Sequence, residues 1–599
     1  MTRAAPRTRV AARESGAAIP SSSTRLIALA RPYRGGLFWG ALCVASANAV
    51  SLAQPQVLRF AVDDLYHGVT AAKLGRYAVM IFVIAVLAGL FKYAMRQLII
   101  AISRRIEFDL RNQLFEHLET LPVAWFQSHR TGEIMSIATN DMSAVRTMVG
   151  PGVMYAVNTL TVGIVSIAFM IGISPRLTMY ALMPLPLVSL SVWFFGDRIH
   201  RRFEGVQERF ARLSAHVQEN LAGMRVVRAF AAERRETGLF AELNEAYRSD
   251  NLQLIRTSGF FSPSLALFSG LGALLALWIG GREAVAGRIT LGQFVAFTVY
   301  LGMLNWPMVA LGYVINLFQR GLASFRRITN ILDQAPAIAS PPAPRRPEVS
   351  RGELEFRSLT FTYPGGGVPA LRDVSFHVPA GSTVALVGRT GSGKSTALAM
   401  LPRLFDPPPG TVLLDGVDVR EYDLGWLRAQ LAVVPQEPFL FSATVAENIA
   451  YGVPAEDEAA IRAVARVARL EEDVDGFPGR FATPVGERGI TLSGGQKQRA
   501  AIARALLRAV PVLLLDDCLS SVDTQTEEAI LEGLRGEIRR RTTLIVSHRV
   551  STVREADLIL VFEEGAIVER GRHEELLALG GRYAALHRAQ QLEEEIEAS

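Results

Sequence analysis

The sequence predicts a bundle of six long membrane-spanning α-helices followed by a soluble α/β domain. Three observations carry this reading. Six apolar segments of membrane-crossing length fill the first half of the 599-residue chain. The composition changes abruptly at a proline-rich seam near residue 336. Beyond the seam, short β-type runs alternate with glycine-rich turns and amphipathic helices, the pattern of a sheet covered by helices. The averages agree: half the residues are apolar and 20% are charged, with a mean hydropathy of +0.23. That is too hydrophobic for a disordered or wholly soluble chain and too polar for one sunk entirely in lipid.

Met1 to Ser23 is rich in Arg, Ala and Ser, with Glu14 its one acid. Residues 1–24 read as a disordered cytosolic tail rather than an organellar transit peptide, because they extend a pattern of basic cytoplasmic segments. The first apolar run begins too late and is too long for a secretory signal. The apolar segments are Gly36–Leu58, Tyr77–Ile102, Gly150–Ile173, Leu177–Gly196, Gly259–Gly280 and Leu291–Leu317. Each is close to the ~20 residues that carry a helix across ~30 Å of hydrocarbon. One such run would fit a buried core helix, but six in succession with almost uncharged centres do not. Lys92 and Arg96 interrupt the second segment; they either snorkel to the interface or face the bundle interior.

Arginine placement orients the bundle. The N-terminal tail, the connection with Arg104, Arg105, Arg111, Arg130 and Arg146, and the connection with Arg198, Arg201, Arg202, Arg209 and Arg212 are strongly basic. The alternate connections, Arg59–Arg76, Ser174–Arg176 and Gly281–Thr290, are short or less basic. The positive-inside rule puts the basic ones in the cytoplasm, so a multi-pass protein of the cell inner membrane is expected, with both termini cytoplasmic. The excess of 63 Lys+Arg over 57 Asp+Glu, a net +6, is thereby read as loop arginines and not as a nucleic-acid surface. Cys43 and Cys518, the two cysteines, exclude a disulfide framework or a cysteine-built metal site.

The two long basic connections are helical in pattern. Ile106, Leu110, Leu114, Leu118 and Leu121 recur at three- and four-residue spacing. About 25 residues beyond the membrane carry such a helix ~40 Å into the cytoplasm. Arg198–Gln218 and Arg234–Arg256 behave alike, with the turns expected at His129–Asp141 and Asn220–Phe230. Asn48, Gln54, Gln97, Asn158, Thr161, Asn305 and Trp306 either line a polar-aromatic cavity or join neighbouring helices. A transmembrane domain over residues 25–335 follows, then a linker over 336–351 whose prolines cannot continue a helix, a domain over 352–588 and an acidic tail over 589–599.

The chemistry lies in the second half. Thr383-Val-Ala-Leu-Val, a β-type run, leads directly into Gly388-Arg389-Thr390-Gly391-Ser392-Gly393-Lys394-Ser395-Thr396 and an apolar helix. Strand, glycine-rich loop and helix in this order form a phosphate-binding loop. The glycines let successive backbone N–H groups curl around phosphate oxygens. Lys394 is expected to reach the β- and γ-phosphates and the Ser395 hydroxyl to bind Mg²⁺. Val512-Leu-Leu-Leu-Asp516 is a buried-strand run ending in the carboxylate expected to hold that Mg²⁺ through water. Leu492-Ser493-Gly494-Gly495-Gln496 opens a second helix and a second anion site at its N-terminus. One nucleotide needs one cradle, so the second makes sense if it closes on nucleotide held by another chain.

With these motifs in place, residues Gly352 to about His587 resemble the nucleotide-binding domain of ATP-binding cassette (ABC) transporters. The resemblance implies that Tyr363 stacks on adenine and that Gln436 touches Mg²⁺ and water. It implies that His548 is the switch histidine near the γ-phosphate, and that Ser520–Asp523 communicates across a dimer. Thr483–Gly489 resembles the loop that exporters use to contact their membrane domain. In the first half, Arg130–Met142 and Gln218–Phe230 are similar to the coupling turns of bacterial multidrug exporters. Six spans ahead of one cassette form a half-transporter, which implies a dimer of an ABC-type P-loop ATPase with ATP and Mg²⁺ as cofactors. Its cargo would be drug-like or lipid-like amphipathic compounds, and a dedicated lipid or lipid-linked-glycan flippase shares every motif. One position departs from the pattern: Asp517 stands where most active cassettes carry the general-base Glu. The departure resembles the degenerate subunit of heterodimeric exporters, while a homodimer with slow Asp-based hydrolysis remains the other reading.

Overall fold

The computed structural model describes residues 22–454, 457–486, 492–519 and 524–598. The chain divides into two units, one reaching Leu118 and resuming over Thr131–Gln334, the other combining Glu119–Arg130 with Ala335 onward.

Among the described residues the first unit holds six helices long and apolar enough to cross a membrane: Ala28–Tyr66, Ala71–Leu118, Thr131–Ile173, Pro175–Ala222, Glu233–Val285 and Leu291–Leu332. Each contains one of the apolar segments or nearly all of it. At 1.5 Å per residue the 53-residue fifth helix spans about 80 Å, far beyond the hydrocarbon thickness. The expected rods therefore exist: Ala71–Leu118 is one 48-residue helix, and Ile106, Leu110 and Leu114 on its extension are fully buried. Where apolar side chains of this helix remain exposed, as at Val79, Phe82 and Leu90, lipid is the matching solvent. Lys92 and Arg96 are also exposed rather than packed among the six helices.

Small residues let the helices approach. A Cβ on Gly40 would fall 2.5 Å from Ile99 Cγ1, and one on Gly321 would fall 2.4 Å from Met148 Cβ. Buried charges are paired: Glu107 meets Arg104, Arg111 and Arg146, and Asp141 of the third span accepts hydrogen bonds from Ser324 and Arg327 of the sixth. Helix breaks occur where proline removes a donor. The fourth span is interrupted at Met183–Pro184, and the third carries a π-turn over Met148–Gly152 around Pro151.

The first turn between the long rods is not where the sequence placed it. His129–Asp141 was the expected turn, yet Thr131 already begins the third helix. The chain reverses instead over Glu119–Arg130 through a short helix, Val123–Ser128. Pro122 supplies an extended N-cap, and Trp125 is buried and stacks on His129 at 4.2 Å. Ala124 packs on the core of the second unit, which explains why these residues group with it. The second turn lies as expected, with the helix Met224–Ala229 between the fourth and fifth rods.

Among the described residues the second unit contains ten strands: β1 Leu354–Phe361, β2 Leu371–Val378, β3 Thr383–Gly388, β4 Val412–Leu414, β5 Val417–Asp418, β6 Leu431–Val434, β7 Val512–Asp516, β8 Thr542–Val546, β9 Leu558–Glu563 and β10 Ala566–Gly571. They form a four-stranded sheet, β2-β1-β4-β5, and a six-stranded sheet, β10-β9-β3-β8-β7-β6. β3, β6, β7 and β8 are parallel neighbours in the latter, so both faces must be covered. Alternation divides two cores between those faces: Ala385, Val387, Leu513 and Leu515 join one, while Val384, Leu386, Val512 and Leu514 join the other. Each of these valines and leucines contributes roughly 1.5–3 kcal/mol of burial. The linker 336–351 lies against this domain, with Arg345 exchanging main-chain hydrogen bonds with Glu421 and Asp423. The last helix runs unbroken from Arg582 to Ala598, so the expected tail at 589 begins inside it.

Candidate functional site

The site is built at the C-terminal ends of the parallel strands. β3 delivers Gly388 into the loop at φ +152°, and Gly391 and Gly393 follow at +83° and +99°. A Cβ at Gly388 would lie 2.2 Å from the Phe562 carbonyl oxygen, and one at Gly393 would lie 2.6 Å from that of Ala370. Only glycine fits either position. The loop closes on its own lysine: Lys394 Nζ donates to the carbonyls of Gly388 at 2.8 Å and Arg389 at 2.9 Å, and to Ser392 Oγ at 3.3 Å. Burial pulls the Lys394 ammonium below its ordinary pKa, opposed by the charges of Asp517 and Asp516.

Asp516, at the end of β7, accepts a hydrogen bond from Ser395 Oγ at 2.8 Å. Its carboxyl is raised above the usual range by burial, with Asp517 pushing the same way and Ser395 opposing. The donors here are a hydroxyl and a carboxylate, with the Gln436 amide beside Asp517. That hard oxygen set suits a Mg²⁺ ion held largely by phosphates. Among the described residues no group of three or more His, Cys, Asp or Glu forms a closed metal cage.

Asp517 is the centre of the remaining cluster. His548 Nδ1 lies 2.8 Å from its Oδ1, and Gln436 Nε2 donates to its Oδ2 at 3.5 Å. The hydrogen bond to Asp517 raises the His548 pKa, against the effect of burial. Asp517 holds φ +45°, a left-handed conformation that costs a non-glycine residue on the order of 1 kcal/mol or more. The three residues expected to carry catalysis thus meet at one carboxylate, beside the Ser395–Asp516 pair and Lys394.

Tyr363 stands half-buried after β1, its hydroxyl 2.9 Å from Thr396 Oγ1 and its ring edge-on to Phe361 and Phe405. It therefore joins the phosphate loop and the core at once. No side-chain contact distinguishes Thr390. Ser493 caps the helix Gly494–Leu507 in a capping box with Gln496. Gln496 Nε2 then donates to Asp473 at 2.9 Å, and Arg499 pairs with the same carboxylate. The Ser493–Gln496 turn is thus anchored on Asp473 and not on the cluster around Asp517. Ser520–Asp523 and residues 487–489 of the exporter-type loop lie outside the described residues.

Sequence reasoning missed three residues. Asp473 braces the second cradle. Glu527, buried, holds Arg549, Ser551 and Thr552. Gln590 of the last helix bonds to both ends of the His548 turn. Glu527 had no signal beyond an ordinary helix position. Gln590 had one, since it stands seven residues after Tyr583, on the same helix face.

Comparison with known proteins agrees with this geometry. Residues 37–308 match the family described as ABC transporter transmembrane region, and residues 371–520 match the family described as ABC transporter. The chain is 39% identical over 549 residues to the multidrug resistance-like ATP-binding protein MdlA of Escherichia coli K12, covering 91% of this chain and 92% of that one. It is 36% identical over 598 residues to an ATP-dependent lipid A-core flippase of Aromatoleum aromaticum, covering 96% and 98%. Among solved structures, a bacterial Atm1-family ABC exporter with ATP bound superposes with a TM-score of 0.75 at 29% identity, covering 94% of this chain and 99% of that one. The chain belongs to the ABC transporter family, as a half-transporter with its membrane domain fused ahead of its cassette. It is a multi-pass membrane protein that binds ATP and couples its hydrolysis to export.

Proposed function

We propose that this chain is the slow-site half of an exporter dimer that moves amphipathic or hydrophobic compounds out of the cytoplasm or inner leaflet. The observation that carries this reading is Asp517, held by His548 and approached by Gln436 where a longer carboxylate is expected. Arg389, Thr390, Gly391 and Ser392 present backbone N–H groups to the phosphates, while Tyr363 receives the adenine. Lys394, which donates to the carbonyls of Gly388 and Arg389, reaches the β- and γ-phosphates of a bound nucleotide. Ser395, Asp516 and Gln436 would hold Mg²⁺, which would supply charge neutralisation on those phosphates. Asp517 orients the attacking water, and His548 donates toward the γ-phosphate. Asp is one methylene shorter than Glu; an error of about 1 Å in such placement can cost about a hundredfold in rate.

Ser493, Gly494, Gly495 and Gln496 complete the site of a second half-transporter that carries the Glu. The proposed setting is the cell inner membrane, with both termini and the cassette cytoplasmic. The arginine-rich connections support that orientation. A lipid cargo is a second reading, favoured by the relatives named as lipid A-core flippases; lipid flipping set against dye efflux in vesicles separates the two. The assembly is tested by measuring ATP turnover of the chain alone and with its candidate partner, for wild type, Asp517→Ala and Ser493→Arg. Little turnover alone, mild loss from Asp517→Ala in the pair and severe loss from Ser493→Arg are expected. Robust turnover from the lone chain, abolished by Asp517→Ala, makes it a self-sufficient homodimer.

A further inference from the structure

We propose that Gln590, on the C-terminal helix Arg582–Ala598, is a positioning residue for His548, so that the docking of this helix fixes where the histidine stands. The inference rests on the reading of His548 as the group that meets the γ-phosphate. His548 sits on the turn between β8 and the short helix Val550–Val553. Gln590 Oε1 accepts from the Val550 amide at 2.8 Å, and Gln590 Nε2 donates to the His548 carbonyl oxygen. One side-chain amide thus bridges the main chain on both sides of Arg549. Glutamine alone among side chains of this length is donor and acceptor at once.

The turn is braced from two further directions. The Arg549 guanidinium pairs with Glu527, which is buried and also accepts from Thr552 Oγ1 at 2.6 Å and Ser551 Oγ at 3.3 Å. At the ring itself, Asp517 lies 2.8 Å from His548 Nδ1. Asp517 fixes the imidazole and Glu527 fixes the chain after it. Gln590 fixes the peptide that carries the imidazole, from an element otherwise remote in sequence from the site. Anchoring the helix for stability is a separate task, already performed by Tyr583 and Ala584, which are buried in the core. A glutamine spanning two main-chain groups of the histidine turn adds little to that core and much to the turn.

The test uses the assembled transporter with the partner's own nucleotide site silenced, so that turnover reports this chain's site. Gln590→Met removes both hydrogen bonds at similar length; Gln590→Glu keeps the acceptor for Val550 and removes the donor to His548. In Gln590→Met the Val550 amide should exchange with solvent about tenfold faster. ATP turnover should fall by about the same factor, with KM for ATP unchanged. Gln590→Glu should retain the Val550 protection yet lose turnover. Unchanged Val550 exchange in Gln590→Met overturns the bridge. Unchanged turnover in both variants, where His548→Ala is impaired, overturns the positioning role. If His548→Ala itself leaves turnover unaltered, the reading of His548 fails and the role of Gln590 falls with it.

Discussion

At Gly388 a methyl group would lie 2.2 Å from the carbonyl oxygen of Phe562, on backbone at φ +152°. Gly388→Ala should therefore cost about 2 kcal/mol of stability, from overpacking and strain together, and should also weaken ATP binding. A denaturant melt with and without ATP reads both. Lys394→Ala removes the loop's one ammonium group together with its hydrogen bonds to Gly388, Arg389 and Ser392, and ATP affinity of the purified protein should fall steeply; unaltered affinity would refute the phosphate-loop assignment. His548 gives a pH signature. Its pKa is raised from an ordinary 6.5 by the hydrogen bond to Asp517, so the folded protein holds that proton more tightly than the unfolded chain. The pair's stabilising share is full below about pH 6.5 and is lost as pH rises through the raised value. In Asp517→Asn that share should vanish, seen as a lower titration midpoint of the His548 ring by NMR. These residues were legible because each sits at a fixed step from a strand end. Glu527 was not, because its partners lie on a distant turn that no spacing announces, and Gln590 offered only its place on the Tyr583 face of the last helix.

At the scale of elements, the rods were readable and the first turn was not. An apolar stripe at three- and four-residue spacing continues through Leu114, and helical period is the strongest signal a sequence carries. Val123–Ser128 is too short for that signal. It forms because Pro122 caps it and because Trp125 finds a buried place, with Ala124 against the second core. Tertiary packing, not propensity, fixes such a segment. Trp125→Ala should then lower the stability of the second unit by about 3 kcal/mol, measured as a shifted unfolding midpoint of the detergent-solubilised protein. An unchanged midpoint would show that the short helix is held by its flanking rods alone.

For the whole molecule, hydropathy and arginine placement predict both span number and orientation, and the labelling test of orientation needs the structure to choose its sites. Ser174 is buried and caps the next helix, Leu177 N donating to its Oγ, so it is a poor site. Ala286 is exposed at the end of the fifth helix. In a background with Cys43 replaced, Ala286→Cys should react with an impermeant thiol reagent from outside intact cells, while Gly132→Cys should not; the reverse pattern would invert the topology. Two phosphate cradles in one cassette lead the sequence to propose a nucleotide site shared with a second chain. Ser493–Gln496 rests on Asp473 through the Gln496 amide, away from the cluster around Asp517. The central claim is that Asp517 limits hydrolysis at this chain's site by its length. The most direct measurement is ATP turnover at that site in the assembled transporter, for wild type against Asp517→Glu. Slow wild-type turnover, raised about tenfold to a hundredfold by the added methylene, is the predicted result; fast wild-type turnover that Asp517→Glu leaves unchanged or lowers would contradict it.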